Sequence, residues 1–260
     1  MSALTIVLTA TEEGAYLHET AAEALSAASA CGIDVELVVV SQHSETALQR
    51  LADVPCRVLA HEEKNFAAWN NSGAEGASGE LLLFLQEGII LTPQGLQKMV
   101  ETILLDTTIA AVGPFSNRTT FSWQYLNAEK MAAESINVAG WVQEHLCSPT
   151  ESLFLEYIAL LVRRSAFQQV RGFDAAFAGG GADLDLSFRL KYDGFHLLRA
   201  PVYFVHRGAG SCDLYDLTRS EGRPLLLQRW GIDIGVPETI LQETLGGIVW
   251  TKNMPLIHAS

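Results

Sequence analysis

The first half of the chain alternates between two hydrophobic periods. Leu4–Thr9 is a short β-branched apolar run and Val35–Val40 a nearly continuous one; Cys56–Leu59, Leu81–Leu85 and Ile109–Val112 are further runs of strand length. Between them lie segments with helical spacing: Tyr16–Ala30, Thr46–Leu51, Phe66–Ala77 and Gln94–Leu105, the last opened by Thr92-Pro93. Near-continuous apolar strands separated by helices predict a parallel sheet covered on both faces. Ligands in such sheets gather beyond the carboxyl ends of the strands. Thr9–Glu13, Ser41–Ser44, Glu62–Asn65 and Gln86–Gly88 are therefore expected to share one rim.

The rhythm breaks at Gly113-Pro114. Residues 115–150 are irregular, with Ser, Asn and Thr clusters, Trp123 and Trp141, and one short helical stretch near Ala128–Ser135. Glu156–Val162 restores a strand and Ala166–Val170 a short helix. Gly179-Gly180-Gly181 precedes a helix over Asp183–Tyr192, in which Asp185 and Arg189 form an i,i+4 pair. Pro201–Val205 reads as a strand ending at His206, and Pro224–Trp230 as a late helix. No repeat or long linker divides the chain, so residues 1–231 are expected to form one domain. Residues 232–260 carry no assigned element and are expected to pack on that domain or to mediate association into a homodimer.

With 48% apolar and 18% charged residues the 260-residue chain can bury a substantial core. The net charge of −13 is uneven: residues 1–162 hold six Lys and Arg against 20 Asp and Glu. Such a surface repels nucleic acid and anionic lipid, and no apolar stretch is long enough for a transmembrane segment. The N-terminus lacks the pattern of a signal peptide. Cys31, Cys56, Cys147 and Cys212 are scattered, with no CxxC pair, which suits a reducing cytoplasm better than a disulfide framework. There is no phosphate-loop lysine motif, no GxGxxG after the first strand, no GxSxG elbow and no HExxH.

What remains is a distributed pattern. Thr9-Ala10-Thr11-Glu12 with Tyr16-Leu17, the strand and loop Glu36–Ser44, Asn65 with Asn71-Ser72-Gly73, and Leu81–Leu85 occur in order in the first half. Val112-Gly113-Pro114-Phe115-Ser116-Asn117, Leu161-Val162-Arg163-Arg164, Gly172-Phe173-Asp174 with Phe177, Ala182-Asp183-Leu184-Asp185-Leu186 with Arg189, His206 with Ser211, and Gln228-Arg229-Trp230-Gly231 follow in the second. In order and spacing this resembles family 2 glycosyltransferases of the GT-A fold, in particular bacterial rhamnosyltransferase-like and polysaccharide-building members, from about Leu4 to Trp230.

The resemblance implies a GT-A-type α/β fold: a Rossmann-like, mostly parallel sheet with helices on both faces and an irregular acceptor-side segment. It implies an inverting enzyme that moves a sugar from a nucleotide-diphosphate donor to the hydroxyl of a glycan or lipid-linked acceptor, in surface polysaccharide or glycoconjugate synthesis. Such chemistry needs a base for the acceptor proton and positive charge on the departing diphosphate. Asp183 occupies the family's base position; read on its own, without the resemblance, it is better taken as a helix cap. Thr9, Thr11, Ser41, Asn71 and Glu87 are the donor-side candidates, and Trp123 and Trp141, with Tyr125, the acceptor-side aromatics. The family's Asp-x-Asp falls at Gln86-Glu87-Gly88, so Gly88 stands where the last metal-holding carboxylate is expected. Three outcomes follow: Mg2+ or Mn2+ held by Glu87, His206 and the diphosphate; Arg207, Arg118 or Lys64 in place of a metal; or a catalytically impaired binding or scaffold domain.

Overall fold

The computed structural model describes residues 4–10, 14–62, 65–134, 137–178, 180–207 and 221–248. Four parallel strands build the first half: β1 (Leu4–Thr9), β2 (Val35–Ser41), β3 (Arg57–Ala60) and β4 (Leu81–Gln86). Helices α1 (Leu17–Ala30), α2 (Ser44–Arg50) and α3 (Phe66–Ala74) connect them. A short strand β5 (Ile89–Ile90), helix α4 (Pro93–Ile103) and β6 (Ile109–Ser116) follow. The irregular stretch carries a 3-10 turn (Ser122–Gln124), α5 (Ala128–Ala133), α6 (Val138–His145) and β7 (Thr150–Glu151). The chain then runs through β8 (Ala159–Arg163), α7 (Arg164–Gln169), α8 (Ala182–Tyr192), β9 (His196–His206), α9 (Gly222–Trp230) and α10 (Glu238–Gly246).

The sheet runs β3-β2-β1-β4-β8-β6-β9-β5, with β7 paired to β9. It is mixed rather than wholly parallel. β8 lies antiparallel to both β4 and β6, and β6 pairs parallel with β9. An apolar run buried on both faces looks the same in either direction, so the hydrophobic pattern does not encode that reversal.

Alternation along the strands fills two cores, one per face. Val7, Val38, Val40, Leu82 and Phe84 enter one, with Ala67, Phe167, Leu184 and Phe188 from the helices over that face. Ile6, Leu8, Val39, Leu83 and Leu85 enter the other, with Leu17, Ala21 and Ala24 of α1 and Leu96, Met99 and Ile103 of α4. Residues 232–248 add Ile232, Ile234, Leu241 and Leu245 to the first core. The Glu238 carboxylate at the start of α10 accepts the Ser122 amide and so ties this segment to the 3-10 turn. Helix α10 has no counterpart in the sequence-based reading. Among the described residues no helix is long and apolar enough to cross a membrane.

Candidate active site

The carboxyl ends of β1, β2 and β4 come level, as Thr9 is in register with Val40 and with Gln86. The antiparallel β8 brings its beginning to the same edge, since Leu85 is in register with Ala159. Residues 156–158 therefore lie on the rim, although their apolar neighbours place them inside the expected strand Glu156–Val162. The strand proper starts at Ala159 because the preceding amides are diverted to side chains. The Glu156 amide donates to Gln124 Oε1 at 2.8 Å and the Tyr157 amide to Asp183 Oδ2 at 2.8 Å.

Asp183 sits in the first turn of α8, entered through Gly181 at φ 88°, a left-handed backbone that a side chain would strain. Its Oδ1 also accepts the Leu184 amide at 3.0 Å. The carboxylate is 6% exposed, and burial raises its pKa against the opposing effect of the Tyr157 and Leu184 amides. An ionised carboxylate has about four acceptor positions, so these two amides leave room for a further proton donor. Asp185, two residues on, points to the opposite side of the helix. It accepts Arg189 Nε at 2.7 Å, an Arg229 Nη1 at 3.0 Å and the Trp230 indole N–H at 3.0 Å. Arg229 also reaches Asp174 at 2.6 Å. One acid of the motif is thus neutralised by two arginines, and the other has no ion-pair partner among the described residues.

Tyr157 joins this end of α8 to the donor-side strands. Its hydroxyl lies 3.1 Å from Thr9 Oγ1, 3.3 Å from Asn70 Oδ1 and 3.0 Å from the Leu85 carbonyl oxygen. Thr9 is thus part of the assembly. From α3 it is Asn70 that meets Tyr157. Asn71 forms a reciprocal pair with the Phe173 backbone, accepting its amide at 2.9 Å and donating to its carbonyl at 2.7 Å. It fastens the Gly172-Phe173-Asp174 turn to α3. Ser41 Oγ accepts the His43 amide at 3.1 Å, a local turn beyond β2. Thr11 and Lys64 lie outside the described residues.

The two aromatic candidates take different places. Trp123 stacks on Phe121 with centroids 5.0 Å apart and meets the edge of Phe154 at 4.5 Å, in an aromatic cluster continuous with the core. Trp141 stacks on His145 at 4.6 Å on α6. Tyr125 is 39% exposed beyond the 3-10 turn.

The Gln86-Glu87-Gly88 turn is docked on α1. Glu87 Oε1 accepts the Tyr16 amide at 2.8 Å, and the Gly88 amide donates to Thr20 Oγ1 at 2.9 Å. Gly88 has φ 91°, and its carbonyl accepts the Arg207 amide at 2.8 Å. A carboxylate-bearing residue at this position would be strained before it reached a ligand. Arg207 pairs with Glu23 of α1 at 2.6 Å. The His206 backbone is clamped by Asn117, which accepts its amide at 2.8 Å and donates to its carbonyl at 3.2 Å.

The sequence matches the model of the glycosyltransferase-like family 2 over residues 3–210. No curated protein gives a significant match. Among solved structures, mannosyltransferase PcManGT from Pyrobaculum calidifontis, in complex with GDP-Man and Mn2+, is similar with a TM-score of 0.57 at 15% identity, covering 81% of this chain and 58% of that one. GalNAc-T7 with UDP, GalNAc and Mn2+ is similar with a TM-score of 0.58 at 16% identity, covering 81% and 44%. The chain thus spans about half the length of these two structures, and at such identity the likeness is one of fold.

Both of those proteins hold Mn2+. Here the donor set does not fit a divalent ion: the described residues contain no group of three His, Cys, Asp or Glu able to hold one, and one Glu87 oxygen is engaged with α1. Hard cations take several oxygen ligands, and in the set expected from the sequence, Glu87, His206 and the diphosphate, the protein itself supplies two groups. The family match and the likeness to solved structures agree: the chain belongs to the glycosyltransferase-like family 2 and has the GT-A fold.

Proposed function

We propose that this protein is an inverting glycosyltransferase that moves a sugar from a nucleotide-diphosphate donor to an acceptor hydroxyl in glycan or glycoconjugate synthesis, with Asp183 as the base. The observation that carries this reading is the state of the Asp183 carboxylate. It is buried at the carboxyl rim of the sheet, without an ion-pair partner among the described residues, raised in pKa by burial, and fixed by backbone amides. A base poised above the ordinary carboxylate range takes a proton from an alcohol more readily than a surface aspartate does. The likeness to proteins holding GDP-Man or UDP supports a nucleotide-sugar as donor. Thr9 and Asn70, joined through the Tyr157 hydroxyl, give the donor-side wall its shape. No step is assigned to a metal ion, because the described residues do not make a site for one.

Asp183→Asn tests the reading. Transfer, screened with nucleotide-sugars and simple acceptors, is expected to fall about 10²–10⁴-fold, while the thermal shift given by the nucleotide diphosphate persists. Full transfer by this variant overturns the assignment.

A second reading has its own observation. The Glu87-Gly88 turn is committed to α1 and to a left-handed backbone, as suits a domain that binds a nucleotide-sugar or partner without turning it over. Absence of transfer and donor hydrolysis across all nucleotide-sugars and divalent ions, with nucleotide binding retained, selects it.

A further inference from the structure

A second buried acid grips the loop that follows β6. That strand runs parallel to β4, since both lie antiparallel to β8, so its loop leaves from the same rim as Thr9 and Gln86. Glu156 is 5% exposed, in the segment that leads into β8. Its Oε2 accepts the Thr120 amide at 2.6 Å and its Oε1 the Phe121 amide at 3.0 Å; the Thr120 hydroxyl bonds to it as well. Holding two adjacent amides on two oxygens is work for a carboxyl group, because the side chain of glutamine has a single acceptor oxygen. Gln124, at the end of the 3-10 turn, adds another fastening. Its Oε1 accepts the Glu156 amide at 2.8 Å and its Nε2 donates to the Pro114 carbonyl at 2.9 Å.

The amides of residues 155–157 alternate between α8 and this stretch. Leu155 donates to Ser187 Oγ at 3.1 Å, Glu156 to Gln124, and Tyr157 to Asp183 Oδ2 at 2.8 Å. Asp183 and Ser187 are neighbours one turn apart on the helix. The Tyr157 N–H and the Glu156 Cα belong to one planar peptide unit. The side chain that holds the loop and the amide that Asp183 holds are thus carried by the same rigid plane.

We propose that Glu156 is a positioning residue for the acceptor: it holds the Thr120-Phe121 loop at a set place relative to the Asp183 carboxylate, so that an alcohol lodged against the loop meets the base. The acceptor half of this rests on Asp183 being the base; the coupling of the loop to the peptide plane does not. Thr120 is exposed and Phe121 is buried, so the grip falls where the loop passes from solvent into the core. Misplacing a reactant by about 1 Å costs up to about 10²-fold in rate, whereas water reaches the donor without a loop to place it. Loss of the grip is therefore expected to lower transfer and to spare hydrolysis of the donor.

Two variants test this. Glu156→Gln leaves one of the two amides without an acceptor. Thr120→Val removes only the hydroxyl bond, at an exposed position that does not threaten folding. The ratio of transfer to donor hydrolysis is measured with the nucleotide-sugar and simple acceptor that the wild type uses best. It is expected to fall about 10–100-fold in Glu156→Gln and about two- to fivefold in Thr120→Val, while the thermal shift given by the nucleotide diphosphate persists in both. An unchanged ratio in Glu156→Gln overturns the proposal, as does a parallel loss of transfer and hydrolysis, which a merely structural role produces. Where Glu156→Gln does not fold, Thr120→Val decides by the same criteria.

Amide hydrogen exchange, followed residue by residue by NMR, needs no substrate. In Glu156→Gln the Thr120 and Phe121 amides are expected to exchange about tenfold faster, as befits the loss of one hydrogen bond, with the Leu184 amide on α8 unchanged. Loop amides as slow as in the wild type overturn the proposal. A loosened loop in a chain that transfers no sugar retires the transferase reading and leaves the coupling of loop to α8 standing.

Discussion

The two sides of the rim are built on different principles. On the Asp183 side, backbone amides and the Thr120 hydroxyl meet the Asp183 and Glu156 carboxyl groups, neither of which has a cation paired with it among the described residues. On the Glu87 side the acid, the glycine and the following strand are spent on holding α1 and β9 in place. A charge kept unpaired in a buried place costs stability, and proteins retain such groups where chemistry uses them. A charge tied to a backbone amide at the start of a helix stabilises the fold. The same contrast recurs within one helix turn, between Asp183 and the doubly paired Asp185.

This contrast can be broken at four places. The largest effect is expected from Asp183→Asn, with transfer down by the factor given above and the melting temperature at pH 7 lowered only modestly, because the amide nitrogen gives up one of the two backbone N–H bonds; a large loss of stability would make Asp183 a structural cap. Asp185→Ala should do the opposite. It strands Arg189, Arg229 and the Trp230 indole, costing about 3–5 kcal/mol and lowering the melting temperature by on the order of 10 °C, read by calorimetry. Glu87→Ala leaves the Tyr16 amide without its partner, a loss of about 1–2 kcal/mol that should be identical in EDTA and in Mn2+. A deficit confined to Mn2+ would restore Glu87 as a metal ligand. Smallest is Gly88→Ala, about 1 kcal/mol from a side chain forced into a left-handed backbone, measured by urea denaturation.

Much of this was legible beforehand. The strands of the first half coincide with their apolar runs to within a residue or two, most closely β1 and β4, which are buried along almost their whole length. The i,i+4 spacing of Asp185 and Arg189 announced their ion pair. The direction of β8 was hidden, and so was the role of Glu156, which depends on amides about 35 residues away. The sequence does not show that Asn70 meets Tyr157 while Asn71 fastens a turn, since both contacts depend on how α3 packs. Gly88 was read as a missing ligand, and its φ of 91° adds a left-handed backbone that a side chain would strain. Helix α10 escaped notice because its buried positions, Leu241 and Leu245, make too short a stripe among polar residues.

Tyr157 has a consequence of its own. The amide of this residue steadies the acid on α8, while the phenol at its far end touches β1, α3 and β4. Phenylalanine in its place would keep the first attachment and erase the second. A single oxygen atom thus separates the two attachments experimentally, and the α8 side and the β1–α3–β4 side of the rim can be loosened one at a time without cutting the chain between them.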